Sequence, residues 1–562
     1  MNENKSSSRR CALMVTVLSA VSWNAMEAQQ PQSAEGLQAV VTIDTGTPSR
    51  PYSRMLFGGF IEHFHRQVYG GIFEPGSPLS DERGFRTDVI AAMKELKLSI
   101  VRWPGGCFAS GYHWKDGVGR SRQPVFDVVW GVEDPNTFGT DEFVEWCRLV
   151  GCEPYICTNA GNGTPEEMRE WVEYCNAATG PYAELRKTGR HAEPLGVRYW
   201  SVGNENWGRH EIGQKTPEQW GPLVAKSAEM MSSVDENLTL LAAATPNRDW
   251  TLPLLATAGK HLDSVAIHEY WLPCWGLNLT PDYLSCIMLS EGPESTISGV
   301  IDVIEEAGYR GRIKIAFDEW NLRAWHHPGF MRKEASDPTD PAVRAFIKQR
   351  DINFDASQYT MADALFSASF LNACLRHTAD VGMANIAPIV NTRGPLYVHP
   401  NGIVRRTTFH TLAMYANELE SRVAKIDIEA GTLMRNEAAI EHVAQRLINE
   451  RRDLYNSRKL QEDTKQPISV IDGIATVDES GKQWSIALVN RHPSQEVACT
   501  VKMNDAPLAG TYEAKILSGD SPDAFNSVEH PDRVAPQKTH LEFEGGIVRL
   551  PPHSLSVFKL AQ

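Results

Sequence analysis

The sequence lacks several features that mark particular protein classes. Basic residues are outnumbered, with 55 Lys and Arg against 70 Asp and Glu and a formal net charge of -15, which disfavours binding to nucleic acid or to an anionic membrane surface. The ten cysteines include no C-x-x-C pair, and the spacing of Cys147, Cys152 and Cys157 matches no zinc motif. We therefore expect mostly buried free thiols and no metal site.

Signals for nucleotide cofactors and for membrane spans are also missing. Gly105-Gly106 follows a strand-like run, but no G-x-x-x-x-G-K-[ST] or G-x-G-x-x-G follows it, so we interpret these glycines as a tight turn and expect no cofactor. The apolar run from Cys11 to Val21 is too short to span a bilayer. It predicts an export signal cleaved near Ala28 and a secreted or periplasmic protein. The alternative is a disordered leader, residues 1–28, on a cytoplasmic enzyme.

Apolar strand-like runs alternate with capped helical segments from Tyr52 to about His410. Thr164-Pro165-Glu166-Glu167, for example, is a capping box with Pro at the first helical position. Eight β/α units predict an α/β fold with a (β/α)8 TIM barrel over residues 51–410. The predicted strands are Leu56–His63, Ser99–Gly106, Pro154–Gly161, Arg198–Glu205, Leu240–Asn247, Ser264–Trp271, Lys314–Trp320 and Gly382–Asn391.

The 562 residues are too many for one core of ordinary size, so we expect a second domain over residues 411–562. Helical periodicity continues to about Arg458, and the charged run Asn449–Lys465 reads as a solvated surface. From Ile468 onward, short alternating strands separated by turn residues predict a jelly-roll-like β-sandwich. Residues 36–50 are expected to add an edge strand to it, through Ala39–Ile43.

Two glutamates end predicted strands that face each other across the barrel mouth. Glu205 ends strand four and Glu319 ends strand seven. A lone Glu at a strand end is usually just solvated, but Asn204 and Asp318 crowd these two ends with further polar groups, which is costly unless they bind something. Two facing carboxylates predict cleavage of glycosidic bonds, with retention at a separation of about 5 Å and inversion at about 6.5–9.5 Å.

Five motifs in order resemble the family 51 glycoside hydrolases, from about Ala39 to the end of the chain. Members are mostly retaining α-L-arabinofuranosidases, so the resemblance implies that Glu205 is the general acid/base and Glu319 the nucleophile. It also implies an arabinofuranosyl-containing poly- or oligosaccharide as substrate, no metal or cofactor, and a homo-oligomer, commonly a hexamer. The motifs are Phe57-Gly58-Gly59-Phe60-Ile61-Glu62-His63, Val101-Arg102-Trp103-Pro104-Gly105-Gly106-Cys107-Phe108, Gly111-Tyr112-His113-Trp114, Val202-Gly203-Asn204-Glu205-Asn206-Trp207 and Phe317-Asp318-Glu319-Trp320-Asn321.

The same resemblance implies a set of sugar-binding residues. Three of them have plain structural alternatives: Arg102 as an ion-pair partner, Cys107 as a buried thiol, and His268 as a core histidine. Asn159 and Trp130 carry the weakest motif support. The set comprises Glu62, Arg102, Cys107, Asn159, Asn204, His268, Tyr270 and Trp130.

Two positions depart from the family pattern. Pro388 stands where the last barrel strand of well-known members carries a sugar-binding Gln, and proline offers neither a side-chain donor nor a backbone N–H. Arg323 stands where many members have an aromatic residue, four positions beyond the nucleophile. Both departures bear on leaving-group preference. Two other functions therefore stay open: cleavage of β-xylosidic or β-glucosidic bonds, and non-catalytic carbohydrate binding.

Overall fold

Eight parallel strands close into a barrel in the computed structural model, which describes residues 37–272, 282–324, 341–351, 359–434 and 466–561. Each strand pairs with the next one along the chain, and the eighth pairs with the first. All eight coincide with predicted strands, so the predicted barrel is confirmed. The strands are Gly58–Phe60, Ile100–Trp103, Glu153–Thr158, Tyr199–Val202, Thr239–Ala244, Ser264–Leu272, Lys314–Arg323 and Val381–Ile386.

Several helices, among them Thr140–Val150, Pro217–Ser232 and Arg248–Ala258, pack buried apolar residues against the barrel strands. Strand side chains alone form a separate apolar cluster that includes Ile100, Leu241 and Ala316, as expected where alternate residues of buried parallel strands point inward. Within the described residues no helix combines the length and apolarity needed to cross a bilayer. The helices are Thr87–Leu96, Thr140–Val150, Pro165–Asn176, Pro181–Thr188, Pro217–Ser232, Arg248–Ala258, Tyr283–Ile287, Gly292–Glu306, Pro341–Arg350, Met361–Arg376 and Thr407–Glu418.

A second, larger sheet of eleven strands contains most of the C-terminal part of the chain, as predicted. Gln38–Asp44 belongs to this sheet, but it is not an edge strand. It pairs antiparallel with Arg422–Ala430 and parallel with Val497–Met503. Its alternate side chains Val41 and Ile43 are fully buried, which suits a strand in the interior of a sheet. The strands are Gln38–Asp44, Arg50–Pro51, Arg422–Ala430, Ile471–Val477, Gln483–Asn490, Val497–Met503, Ala506–Pro507, Gly510–Ser518, Gln537–Phe543, Ile547–Leu550 and Ser554–Ala561.

The predicted helical continuation to Arg458 is confirmed only as far as Glu418, where the helix Thr407–Glu418 ends, and is wrong over Arg422–Ala430. Arg422–Ala430 is a strand, because its alternating apolar and charged side chains suit a ladder between two neighbouring strands. The run Asn449–Lys465 and the leader 1–28 lie outside the described residues. Of residues 325–358, which follow the strand that contains Glu319, the structure describes only 341–351.

Ion pairs join the barrel helix Met361–Arg376 to the large sheet, and Leu37–Gln562 forms one compact unit. Asp472 of the sheet lies 2.9 Å from Arg376 Nη1 and 3.0 Å from Arg491 Nη2. Asn372 of the same helix donates to the second Asp472 oxygen at 2.9 Å. These contacts place a buried, fully paired carboxylate at the junction between the barrel helix and the large sheet.

Candidate active site

The Glu319 carboxylate lies at the barrel mouth and is held by two donors. Arg102 Nη1 donates to Oε1 at 2.6 Å, and the Tyr270 hydroxyl donates to Oε2 at 2.7 Å. Arg102 itself is fully buried. It also pairs with Asp318 at 3.0 Å and donates to Asn204 Oδ1 at 2.7 Å. Charge-assisted donors of this kind form short hydrogen bonds and fix the direction of the carboxylate.

His268 connects the two predicted catalytic glutamates. Its Nδ1 lies 2.8 Å from Glu205 Oε1 and 3.6 Å from Glu319 Oε2, while its Nε2 lies 3.1 Å from Asp318 Oδ1. Burial lowers the pKa of His268, but the negative charges of Glu319 and Asp318 outweigh it and raise the pKa to about 10. The imidazole is therefore a cation among carboxylates and not a neutral core histidine.

The two glutamate side chains are close and only slightly exposed. One carboxylate oxygen of Glu205, one of Glu319 and a ring nitrogen of His268 all lie within 4.8 Å of one another. The Glu205 side chain is 18% exposed and that of Glu319 is 9% exposed. A group placed at the mouth would thus contact both carboxylates in a space that is largely shielded from water.

Glu205 sits in a sharp turn just beyond barrel strand four, with φ of +41°. Its second oxygen, Oε2, lies 2.6 Å from His210 Nε2. Burial raises the pKa of the Glu205 carboxyl, but hydrogen bonds from His210 and His268 and their positive charges bring it well below its usual range. These shifts favour an ionised Glu205 beside a protonated His210 and a protonated His268.

His210 and Glu211 belong to the loop that curls back over Glu205. Gly208 N–H donates to the Glu205 carbonyl and Glu211 N–H to the Gly208 carbonyl. A Cβ at Gly208 would overlap the His210 ring, so glycine permits this close return. Glu211 is buried and accepts from Ser110 at 2.5 Å and from Asn204 at 2.9 Å. Burial raises the pKa of the Glu211 carboxyl.

Glu62 lies beneath the loop that contains Gly105 and Gly106. Its Oε1 accepts from Phe108 N–H and from Trp130 Nε1–H, both at 2.8 Å. Burial is the main cause that raises the pKa of Glu62 to about 8, so at neutral pH the side chain can donate as well as accept a hydrogen bond. A Cβ on either glycine would come within 2.9 Å of the Glu62 side chain.

Two of the predicted sugar-binding residues make mainly structural contacts. Trp130 is 2% exposed, stacks on Phe64 and holds Glu62 through its indole N–H. The Asn159 amide donates to Tyr112 O and Asn162 Oδ1, and its oxygen accepts the N–H groups of residues 161–163. These bonds occupy the Asn159 side chain in its own loop, and its predicted role in lining the cleft stays a prediction.

Cys107 lies close to the catalytic groups, whereas the hydrogen bonds of Arg323 connect two elements of the fold. Cys107 is buried, with its sulfur 4.0 Å from Asn204 Nδ2 and within 4.8 Å of donor atoms on Glu205, His210 and Glu211. Arg323 is buried and forms two hydrogen bonds to Asp363, at 2.8 and 2.6 Å, and its effect on leaving-group preference stays a prediction. The eight cysteines in the described residues are free and buried, as predicted.

The sequence reasoning missed three residues of the site: Asp318, His210 and Glu211. Asp318 directly precedes Glu319, and the sequence placed it only among the polar groups at that strand end, with no role in binding or catalysis. His210 and Glu211 carry a weaker signal, a charged pair between Gly208 and Gly213 shortly after Glu205. Two mixed groups have donor atoms close enough to hold a metal ion: Cys107, Glu205, His210 and Glu211, and Glu205, His268 and Glu319.

Comparisons with known proteins agree with this geometry. Residues 92–283 match the family model for the "Alpha-L-arabinofuranosidase 1 domain", and residues 318–554 match "Alpha-L-arabinofuranosidase C-terminal domain". A probable alpha-L-arabinofuranosidase C of Aspergillus niger is 32% identical over 91% of this chain and 96% of its own length. An intracellular exo-alpha-(1->5)-L-arabinofuranosidase of Halalkalibacterium halodurans is 34% identical over 68% of this chain and 75% of its own.

Solved structures are similar over nearly the whole chain. The alpha-L-arabinofuranosidase of Thermotoga maritima, solved as an arabinose complex, has a TM-score of 0.77 at 29% identity. The match covers 93% of this chain and 100% of the Thermotoga maritima chain. The family 51 alpha-L-arabinofuranosidase of Thermotoga petrophila has a TM-score of 0.75 at 28% identity, with the same coverage.

Proposed function

Because this chain belongs to the family 51 glycoside hydrolases and has the activity of an α-L-arabinofuranosidase, we propose that it is a retaining, exo-acting enzyme. It removes terminal α-L-arabinofuranosyl residues from arabinoxylan, arabinan or derived oligosaccharides. The observation that carries the mechanism is the short distance between Glu205 and Glu319, whose nearest oxygens lie within 4.8 Å. An inverting enzyme needs about 6.5–9.5 Å to hold a water between its carboxylates.

In the first step, Glu319 attacks the anomeric carbon of the arabinofuranosyl residue. Arg102 and Tyr270 direct its two oxygens, and the carboxylate displaces the leaving oxygen to form an arabinosyl ester. Glu205, once it has taken up a proton in the enzyme–substrate complex, delivers that proton to the leaving oxygen as the glycosidic bond breaks, so the leaving group departs as a neutral alcohol.

In the second step, water replaces the leaving group beside Glu205. The Glu205 carboxylate removes a proton from this water while its oxygen attacks the anomeric carbon and the bond to Glu319 breaks. Arabinose leaves with its original anomeric configuration, and Glu319 returns to its ionised form between Arg102 and Tyr270.

The exo mode is supported by the shielding of the catalytic pair. With side chains only 18% and 9% exposed, the carboxylates suit a pocket that accepts one terminal sugar better than an open groove along a polymer. Glu62, Cys107 and Asn204 would bind the hydroxyls of that sugar, because they surround the same mouth.

The test compares hydrolysis of p-nitrophenyl α-L-arabinofuranoside with that of the β-D-xylopyranoside and β-D-glucopyranoside. We expect fast turnover of the arabinofuranoside alone. Glu319→Gln and Glu205→Ala should each reduce it severely, since both steps need both groups. Preference for the xyloside or glucoside would show that the proposed sugar specificity is wrong.

Proton NMR of the first-formed arabinose tests the stereochemistry. Retention predicts that the α-furanose anomer appears before mutarotation sets in. Early appearance of the β-anomer would refute the double-displacement mechanism, whatever the sugar preference proves to be.

We also propose export by the N-terminal segment, with residues 1–28 removed, and assembly into a homo-oligomer, a hexamer by family resemblance. The export proposal rests on the apolar run Cys11–Val21. N-terminal sequencing of the protein from its native host and light scattering test these two points separately.

A further inference from the structure

The two-carboxylate mechanism assigns no role to the contact between His210 and Glu205. His210 Nε2 lies 2.6 Å from Glu205 Oε2, a short charge-assisted distance, whereas Glu205 Oε1 faces His268. We propose that His210 is a positioning residue that holds the proton which Glu205 delivers to the leaving group. This role rests on the proposed function, in which Glu205 is the general acid.

The surroundings of the two histidines distinguish their roles. His268 is 2% exposed, with Glu205 and Glu319 carboxylates beside its Nδ1 and the Asp318 carboxylate beside its Nε2. Its protons are fixed by that cluster. The His210 side chain is 34% exposed, so it can exchange a proton with solvent or with a departing alcohol while it stays in contact with Glu205.

Several charged and titratable groups face His210. Glu205 and Glu211 come from its own loop, with Glu211 Oε1 at 3.8 Å from Nε2. Cys107 comes from the turn after barrel strand two, and Glu319 from strand seven. Three carboxylates around one imidazole favour its protonated form: burial lowers the pKa of His210, but these neighbours raise it to about 9.

The proton movements balance over a full turnover. Before substrate binds, Glu205 is ionised and His210 is protonated. A bound glycoside removes water from the pair, which favours two neutral groups, so the proton passes from His210 Nε2 to Glu205 Oε2. Glu205 then gives this proton to the leaving oxygen as the glycosidic bond breaks. In the second step the proton of the attacking water goes to Glu205, and the pair returns to its starting state.

The test measures how the effect of His210→Gln depends on the leaving group. Glutamine keeps a donor near Glu205 but cannot supply a proton. For methyl α-L-arabinofuranoside, whose leaving group needs protonation, we expect kcat/KM to fall by about 100-fold, within the range of general acid catalysis. For the dinitrophenyl arabinofuranoside, which needs no acid, the first-step rate should change by no more than about twofold.

The pH profile supplies a second readout. With His210 present, the shared proton should be kept up to about pH 9. Without it, the alkaline limb of kcat/KM for p-nitrophenyl arabinofuranoside should move to lower pH, because Glu205 alone loses its proton sooner. His261→Gln, which removes a histidine paired with Glu229 before barrel strand six, is the matched control and should leave both readouts unchanged.

Equal losses for all leaving groups, with an unmoved pH limb, would overturn the proposal and leave His210 a structural residue. If His210→Gln does not fold, His210→Asn and NMR titration of the wild-type histidines take its place; a His210 that loses its proton below neutral pH would also overturn it. Failure of the wild-type enzyme on every arabinofuranoside would instead overturn the proposed function, so the two failures are distinguishable.

Discussion

At the scale of single residues, Glu62 shows why glycine is needed beside this site. Its carboxylate is buried, accepts two hydrogen bonds on Oε1 and lies directly under Gly105 and Gly106. The sequence suggested only a tight turn for these glycines. The structure adds that any Cβ at Gly106 would lie 2.8 Å from Glu62 Oε1, which is too close for a real contact.

Gly106→Ala should therefore displace the Glu62 carboxylate. Losing a well-made hydrogen bond to a sugar hydroxyl costs about 1–3 kcal/mol, so we expect KM for p-nitrophenyl α-L-arabinofuranoside to rise roughly tenfold, with a smaller change in kcat.

Gly299→Ala provides the matched control for this substitution. Gly299 lies inside the helix Gly292–Glu306 and has open space where a Cβ would be. That variant should keep its KM and gain up to about 1 kcal/mol of stability from helix propensity. An unchanged KM in Gly106→Ala would mean that Glu62 does not contact the sugar.

At the scale of elements, Arg323 ties barrel strand seven to the helix Met361–Arg376. Its guanidinium makes two hydrogen bonds to Asp363 and lies 4.5 Å from the centre of the Tyr359 ring. Asp363 also accepts from Thr360 N–H in the capping box of the helix. The strand that carries Glu319 is thereby fixed to the start of a buried helix.

A double-mutant cycle tests this connection. Arg323→Met and Asp363→Asn should each lower the free energy of unfolding by about 3 kcal/mol, because each removes the oppositely charged partner of a buried ion. The double variant should lose about 2 kcal/mol less than the sum of the two. Urea denaturation gives the energies. Additive losses, together with a large rise in KM for arabinosides in Arg323→Met, would point to leaving-group binding by Arg323 instead.

The elements also show where sequence reasoning succeeds. Most of the eight barrel strands contain a short apolar run, and the order of these runs alone put Glu205 and Glu319 at one end of the barrel. Arg422–Ala430 was harder, because its charges and short apolar residues fit a helix until the neighbouring strands are known. His210 was beyond reach, since its contact with Glu205 depends on how an irregular, glycine-containing loop returns on itself.

At the scale of the whole molecule, the barrel and the large sheet are joined through Asp472. The carboxylate is 7% exposed and is paired with Arg376 and Arg491. Burial raises the pKa of Asp472, but the two guanidinium groups outweigh it and lower the pKa to about 2. An unfolded chain has no such partners, so folding and ionisation of this group are linked.

The sign of this linkage gives a prediction for stability against pH. Because the folded pKa lies below the unfolded one, the stabilisation is fully present above about pH 4 and is lost as the pH falls toward 2. Lowering the pKa of Asp472 by this amount contributes about 2 kcal/mol to the free energy of unfolding. Asp472→Asn should thus be less stable than wild type by at least about 2 kcal/mol at pH 7, and the gap should narrow steadily below pH 4.

Urea denaturation at several pH values measures the gap, with Glu306→Gln as control. Glu306 forms an exposed ion pair with Arg248, and solvent screens such pairs, so its removal should change stability little at any pH. A gap between wild type and Asp472→Asn that stays constant from pH 7 down to 3 would show that the ionised carboxylate is not what joins the two parts. The junction would then depend on apolar packing between the helix Met361–Arg376 and the sheet.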